Sequence, residues 1–223
     1  MKLIRITVAS LAMFLLSAPL LRAQDLSKYR EFSLGTSLAD LSKQIGAKPA
    51  DVKVVHQHPA LIEELVWWPR HSGNPPAAEA VGQVLFSFCD GKLYRIYVTY
   101  EDAATEGMTT DDMARAISAT YGVTPTAPDA RISIPGGVYG GTEKVMERWE
   151  DAQYSINLLR PSFTSVFALV LFSKQLNAEA DAAIAAASKL ELQGAAQNAT
   201  DRKKTEADSL EASRVKNIKV FHP

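Results

Sequence analysis

Residues His56 and His58 form the run H-Q-H. On extended backbone alternate residues share a face, so the two imidazoles would stand side by side. Glu63, Glu64 and His71 follow closely as third ligands. Two histidines and a carboxylate suit zinc, and a zinc-bound water would give a small hydrolase its nucleophile. Pro59 follows at once, however, and turns the chain before either acid is reached. Surface histidines of a turn are therefore the plainer reading, and no residue is assigned to a metal or cofactor.

Three other stretches invite a chemical reading. Cys89 is the only cysteine, and Asp90 beside it disfavours a thiolate, while Lys92 offsets this only in part. P-G-G-V-Y-G-G-T-E-K (135–144) is glycine-rich, but it lacks the spacing and the Gly-Lys-Ser/Thr ending of a phosphate loop. It reads as a connection with Tyr139 exposed at its tip, a candidate binding residue. In L-V-W-W-P-R, Trp67 and Trp68 would lie on opposite faces of a strand, so one of them needs cover from outside the core. A helix could supply that cover, or Trp68 could meet a ligand or partner. G-x-S-x-G, H-E-x-x-H, paired C-x-x-C and dinucleotide-type glycines are all missing from the sequence. No catalytic residue is expected, and the class favoured is a binding protein.

The two termini bound where such a protein works. Lys2 and Arg5 precede an apolar or small run from Ile6 to Leu16, and Ala23 offers a small residue for cleavage. That order of segments is a secretory signal, so residues 1–23 are expected to be removed and the remainder to be periplasmic or secreted. Pro19 interrupts the run short of membrane-spanning length, and no later run reaches it. Loss of residues 1–23 takes away Lys2, Arg5 and Arg22 and no acid, so the formal charge falls by three from −1 to −4. An acidic balance argues against a nucleic-acid partner, which would want a clustered basic face. One cysteine cannot form an internal disulfide, so packing must hold the fold in an oxidising compartment.

Two segments share a pattern that positions everything else. L-S-K-Q-I-G-A-K-P (41–49) and I-S-A-T-Y-G-V-T-P (117–125) match as apolar, Ser, two variable, apolar, Gly, two variable, Pro. Each reads as the end of a helix, with Gly46 and Gly122 just past the last turn and the prolines stopping continuation. Ser37 and Thr109 open the two helices, each with an acid three residues on. Strand-like runs follow: 52–56, 61–68, 83–88 and 92–100 after the first helix, then 144–149, 154–159 and 164–172 after the second. The chain is therefore expected to be α+β, with two related helix-plus-antiparallel-sheet units at 24–104 and 105–173.

Within the first unit, V-L-F-S-F-C-D-G-K-L-Y-R-I-Y-V-T-Y (84–100) predicts a hairpin. A three-residue loop of Cys89, Asp90 and Gly91 would put Val84, Phe86, Phe88, Tyr94, Ile96, Val98 and Tyr100 on one face. Cys89 would then be a plain loop residue. After Phe172 the alanine-rich segment 174–193 predicts a helix with a narrow stripe of Leu176, Ala180, Ala183, Ile184, Ala187 and Leu190. Gly194 to Thr200 reads as a linker and 194–223 as a flexible charged tail.

The run L-G-T-S-L-A-D-L-S-K-Q-I-G-A-K-P, the tryptophan strand L-V-W-W-P and the hairpin V-L-F-S-F-C-D-G-K-L-Y-R-I together resemble a small exported module. That module occurs in outer-membrane assembly lipoproteins and in beta-lactamase-inhibitor proteins. The resemblance covers about 32–100 and more faintly 107–172. The chain departs from it in lacking a lipidation cysteine, in one extra residue before Pro49 and in the long C-terminal helix. The resemblance implies a non-catalytic exported module that binds another protein or an envelope component.

Overall fold

Both expected helices form, each between matching caps. In α1 (Leu38–Ile45) the Ser37 hydroxyl accepts from the Asp40 amide at 3.1 Å and donates to its carboxylate at 2.6 Å. In α3 (Thr110–Tyr121) Thr109 and Asp112 close a full capping box. Gly46 and Gly122 take the left-handed conformation, φ 69° and 65°, and donate back to the Ser42 and Ser118 carbonyls. The structure, a computed structural model, describes residues 25–69, 79–122, 125–134, 141–161 and 166–220. The expected signal segment and Tyr139 lie outside the described residues. A short helix, α2 (Asp102–Thr105), precedes α3.

A two-stranded hairpin, β1 (Lys28–Tyr29) and β2 (Phe32–Ser33), comes before α1. The main sheet then takes β3 (Val52–His56), β4 (Ile62–Trp67), β5 (Val81–Cys89), β6 (Lys92–Tyr100), β7 (Arg131–Ile134), β8 (Gly141–Glu150), β9 (Tyr154–Leu159) and β10 (Ala168–Ser173). Every pairing is antiparallel and the order is β3-β4-β5-β6-β10-β9-β8-β7. Each half runs from a helix into a four-strand meander, and the last strand of each meander pairs with the other, joining the halves into one eight-stranded sheet. The fold is α+β.

One face of the sheet carries the main core. Leu65, Val84, Phe86, Phe88, Ile96, Val98, Trp149, Ile156, Leu158 and Leu169 pack there beneath Leu41 of α1, Met113, Ile117 and Tyr121 of α3, and Tyr29 and Phe32 of the small hairpin. Residues from both halves share this cluster, so the helices cover a continuous apolar surface.

The β5–β6 turn corrects the expected register. Asp90 and Gly91 alone form the turn, with φ 48° and 73°, the two left-handed residues that a tight hairpin requires. Asp90 is fixed there by its amide donating to the Leu61 carbonyl and its carboxylate accepting from the Leu61 amide, at 2.8 and 2.9 Å. A bulge then shifts the pairing from Phe88↔Leu93 to Ser87↔Arg95. Beyond it Phe86 faces Ile96 and Val84 faces Val98, which restores the apolar alternation a two-residue turn would otherwise break. Leu93 takes the core place expected of Tyr94. Tyr94 turns to the other face, where it packs with Ile62, Cys89 and Ala180. Cys89 is thus the buried last residue of β5 rather than a loop residue.

That second face lies under the final helix, α4, which runs as one element from Lys174 to Val220. Ala180 and Ala187 are buried and Leu176 and Ile184 half-buried beside them, as the stripe predicts, but Leu190 at its end is exposed. Arg95 anchors the contact from below. It reaches the Asn177 carboxamide oxygen (2.9 Å from Nε), Asp181 (3.4 Å) and the Ser133 carbonyl of β7 (3.1 Å). The helix does not stop near 193 as expected: the segment read as a linker and tail continues it, and every residue from Ser188 to Val220 is exposed. Alanine, lysine and glutamate favour helix strongly enough that one Gly194 does not end it. The exposed stretch projects about 50 Å at 1.5 Å per residue. Among the described residues no helix is long and apolar enough to cross a membrane.

Candidate binding groove

Trp68 follows directly after β4. It is 44% exposed. With Val66, itself 39% exposed, and Trp67 it forms one wall of a groove of about 400 Å³. Ile45, Gly46, Ala47 and Asp51, at the end of α1 and just beyond, form the other wall. Trp67 turns inward and meets Phe32 edge-on, with ring centroids 5.2 Å apart. Its indole Nε1–H is buried and has no acceptor among the described residues. Such a donor costs on the order of 1–3 kcal/mol until something accepts from it.

The other half of the sheet shows the closed version of this arrangement. Trp149 stands near the end of β8, the second strand of its meander, as Trp67 does in β4. There the 12-residue helix α3, against eight residues in α1, covers the ring completely. Ser118, four residues before the capping glycine, accepts from Trp149 Nε1 at 3.0 Å. The serine in the same place in α1, Ser42, instead lines a separate groove of about 700 Å³ on another flank of that helix. After Trp149 comes Glu150, paired to Lys174 at 2.8 Å, where the first half has Trp68.

No family model, curated protein or solved structure matches this chain.

Neither the histidines nor the cysteine gather catalytic surroundings. His56 turns toward α4, its Nδ1 3.4 Å from Glu191, and His58 is exposed in the turn after β3. Glu63 lines the groove beside α1, whereas its neighbour Glu64 is buried opposite Ser87 on the α4 side. The candidate ligands thus lie on different faces of the sheet. His71 lies outside the described residues, and among those described no group of three His, Cys, Asp or Glu could hold a metal. Burial, then Asp90 and Glu179, raise the Cys89 thiol above its usual range. That is the opposite of what a thiolate nucleophile needs.

A second cavity, of about 380 Å³, lies where the two halves meet. Its walls include Tyr29 and Arg30 of the small hairpin, Tyr100 at the end of β6, Met108 before α3, and Met113 and Tyr121 on α3. Arg30 sits in the left-handed conformation, φ 54°, which carries its guanidinium across the Tyr29 ring at 5.6 Å. It makes a two-pronged ion pair with buried Glu79, at 2.8 and 2.9 Å. Glu79 also accepts from the Val81 amide at 2.8 Å. The Tyr121 hydroxyl donates to the Lys28 carbonyl at 2.9 Å. Burial raises all three phenols above their usual range, so they stay protonated. The sequence carries no sign of this cavity, because its residues come from five separate segments with no shared spacing.

Proposed function

We propose that this chain is an exported, non-enzymatic binding protein of the periplasm or cell envelope that acts through protein–protein contacts. Its contact site is the groove at Trp67 and Trp68. The observation that carries the reading is the contrast between the two tryptophans: Trp149 is closed over by helix and serine, while Trp67 offers a buried donor beside an exposed second tryptophan. Exposed tryptophan over a well-packed base is the residue type that dominates interface energies. The similar halves favour a tandem origin, and the signal-like N-terminus favours export. The resemblance to exported protein-binding modules points the same way. Neither the groove nor the cavity at the seam presents a nucleophile with an adjacent base.

The test is to capture partners from the native envelope on the tagged chain and on its Trp68→Ala variant, with labelled peptides counted by mass spectrometry. A partner retained by the parent and reduced tenfold or more on the variant supports the reading; tenfold corresponds to about 1.4 kcal/mol. Equal recovery from both chains removes the groove as the contact site.

A further inference from the structure

The cavity at the seam of the two halves is a ligand site in its own right, separate from the tryptophan groove. Its volume of about 380 Å³ falls at the lower end of small-molecule pockets, which measure roughly 300–1,000 Å³. Both halves build it: Tyr100 comes from β6, Leu169 from β10, and Met113 and Tyr121 from α3. Sites at such junctions are a usual place for ligands.

The charges on its walls narrow the ligand. Arg30 is the one ionised residue among those lining the cavity, and buried Glu79 neutralises it through two hydrogen bonds. An anion would gain little from a guanidinium already paired, and a cation would give up its hydration with no carboxylate among the lining residues to replace it. The remaining surface is three phenol rings, two methionines, Ile117, Leu169 and small residues. Phenol faces favour a flat ring, and methionines adapt to its outline. Polar character is concentrated at one end, where the Tyr29 phenol, kept protonated by burial, lines the cavity beside Arg30 and Tyr100. The hydroxyl of Thr120 at the rim is turned to the Ala116 carbonyl of its own helix.

We infer that this cavity binds an uncharged aromatic molecule bearing a carbonyl-type acceptor, with the ring between the tyrosines and methionines and the acceptor at the Tyr29 hydroxyl.

The experiment is a titration of the 223-residue chain, labelled with carbon-13 at the methionine methyl groups, with N-phenylacetamide. Benzoate and benzyltrimethylammonium serve as charged probes of similar size. The Met108 and Met113 methyl signals should shift saturably while Met146, which lies elsewhere, stays still. Each charged probe should bind at least tenfold more weakly. Ala116→Phe places a ring at the mouth, on a position exposed in α3 and so compatible with folding, and should abolish the shifts. Tyr29→Phe removes the donor and should weaken binding about 3- to 10-fold, the size of one hydrogen bond. The inference is overturned if N-phenylacetamide leaves Met108 and Met113 unmoved up to its solubility limit. It is equally overturned if the charged probes bind as well, or if Ala116→Phe binds like the parent. Because this readout does not involve Trp68, its failure would leave the protein-contact reading standing, and the reverse also holds.

Discussion

Trp67 and Trp149 hold matching places in matching meanders, yet one is finished and the other is not. Trp149 is wholly buried with its Nε1–H given to Ser118, under a helix one turn longer than its counterpart. Trp67 is partly covered by α1, has no acceptor among the described residues, and passes the chain on to an exposed Trp68. A single helical turn thus separates a core position from a groove. Stability has been completed in one half and left incomplete in the other, which is the pattern expected where binding, rather than folding, uses the surface.

Substitutions can break this contrast, beginning with its closed side. Trp149→Ala should cost about 3–5 kcal/mol in denaturant unfolding, the usual range for emptying a buried aromatic site. Ser118→Ala should cost about 1–2 kcal/mol, because the Trp149 donor is then stranded as Trp67 already is. If Ser118→Ala proves neutral, the closure of the second half does not depend on that hydrogen bond and the comparison loses its basis. On the open side, Trp68→Ala should cost less stability than Trp149→Ala while removing partner capture.

Two smaller effects sharpen the view of the other face. Burial raises the Glu64 carboxyl above its usual range, against the opposing influence of Lys53 and Arg95. A carboxyl with a raised folded-state pKa is penalised once the pH exceeds its unfolded value, and carries no penalty where both states are protonated. Glu64→Gln should therefore stabilise the chain at pH 7, and the gain should vanish as the pH falls below the ordinary glutamate range. Thermal unfolding across pH checks this. Deleting 192–220 should move Tm by no more than about 2 °C, since those residues are exposed throughout and pack on nothing in the sheet.

Much of the framework was legible because its signals are local. Caps at Ser37 and Thr109 and glycines at 46 and 122 are short-range devices, and the structure uses each of them as written. The strand runs were legible too, except β1 and β2, which are too short to show a period, and β7, whose alternation spans only four residues. The hairpin register was missed because a bulge reconciles a two-residue turn with the apolar alternation, and nothing in L-Y-R-I announces it. Tyr94 and Cys89 changed surroundings for that reason. The extent of α4 was misread because Gly194 looked like a break in a sequence whose neighbours favour helix. The exposure of Trp68 was raised as an alternative in the sequence, but the missing acceptor of Trp67 depends on how far α1 reaches over β4. The seam cavity depends on tertiary placement altogether: Arg30 and Glu79 are 49 residues apart, and Tyr121 meets Lys28 across 93.

The most direct test of the open-groove reading places a photo-crosslinking amino acid at position 68, and in a second chain at position 150, the matching site of the closed half. Both chains are irradiated in the native envelope. The account predicts a discrete protein adduct from position 68 and none from position 150. Equal adducts from both sites, or an adduct from position 150 alone with the chain folded, would contradict it.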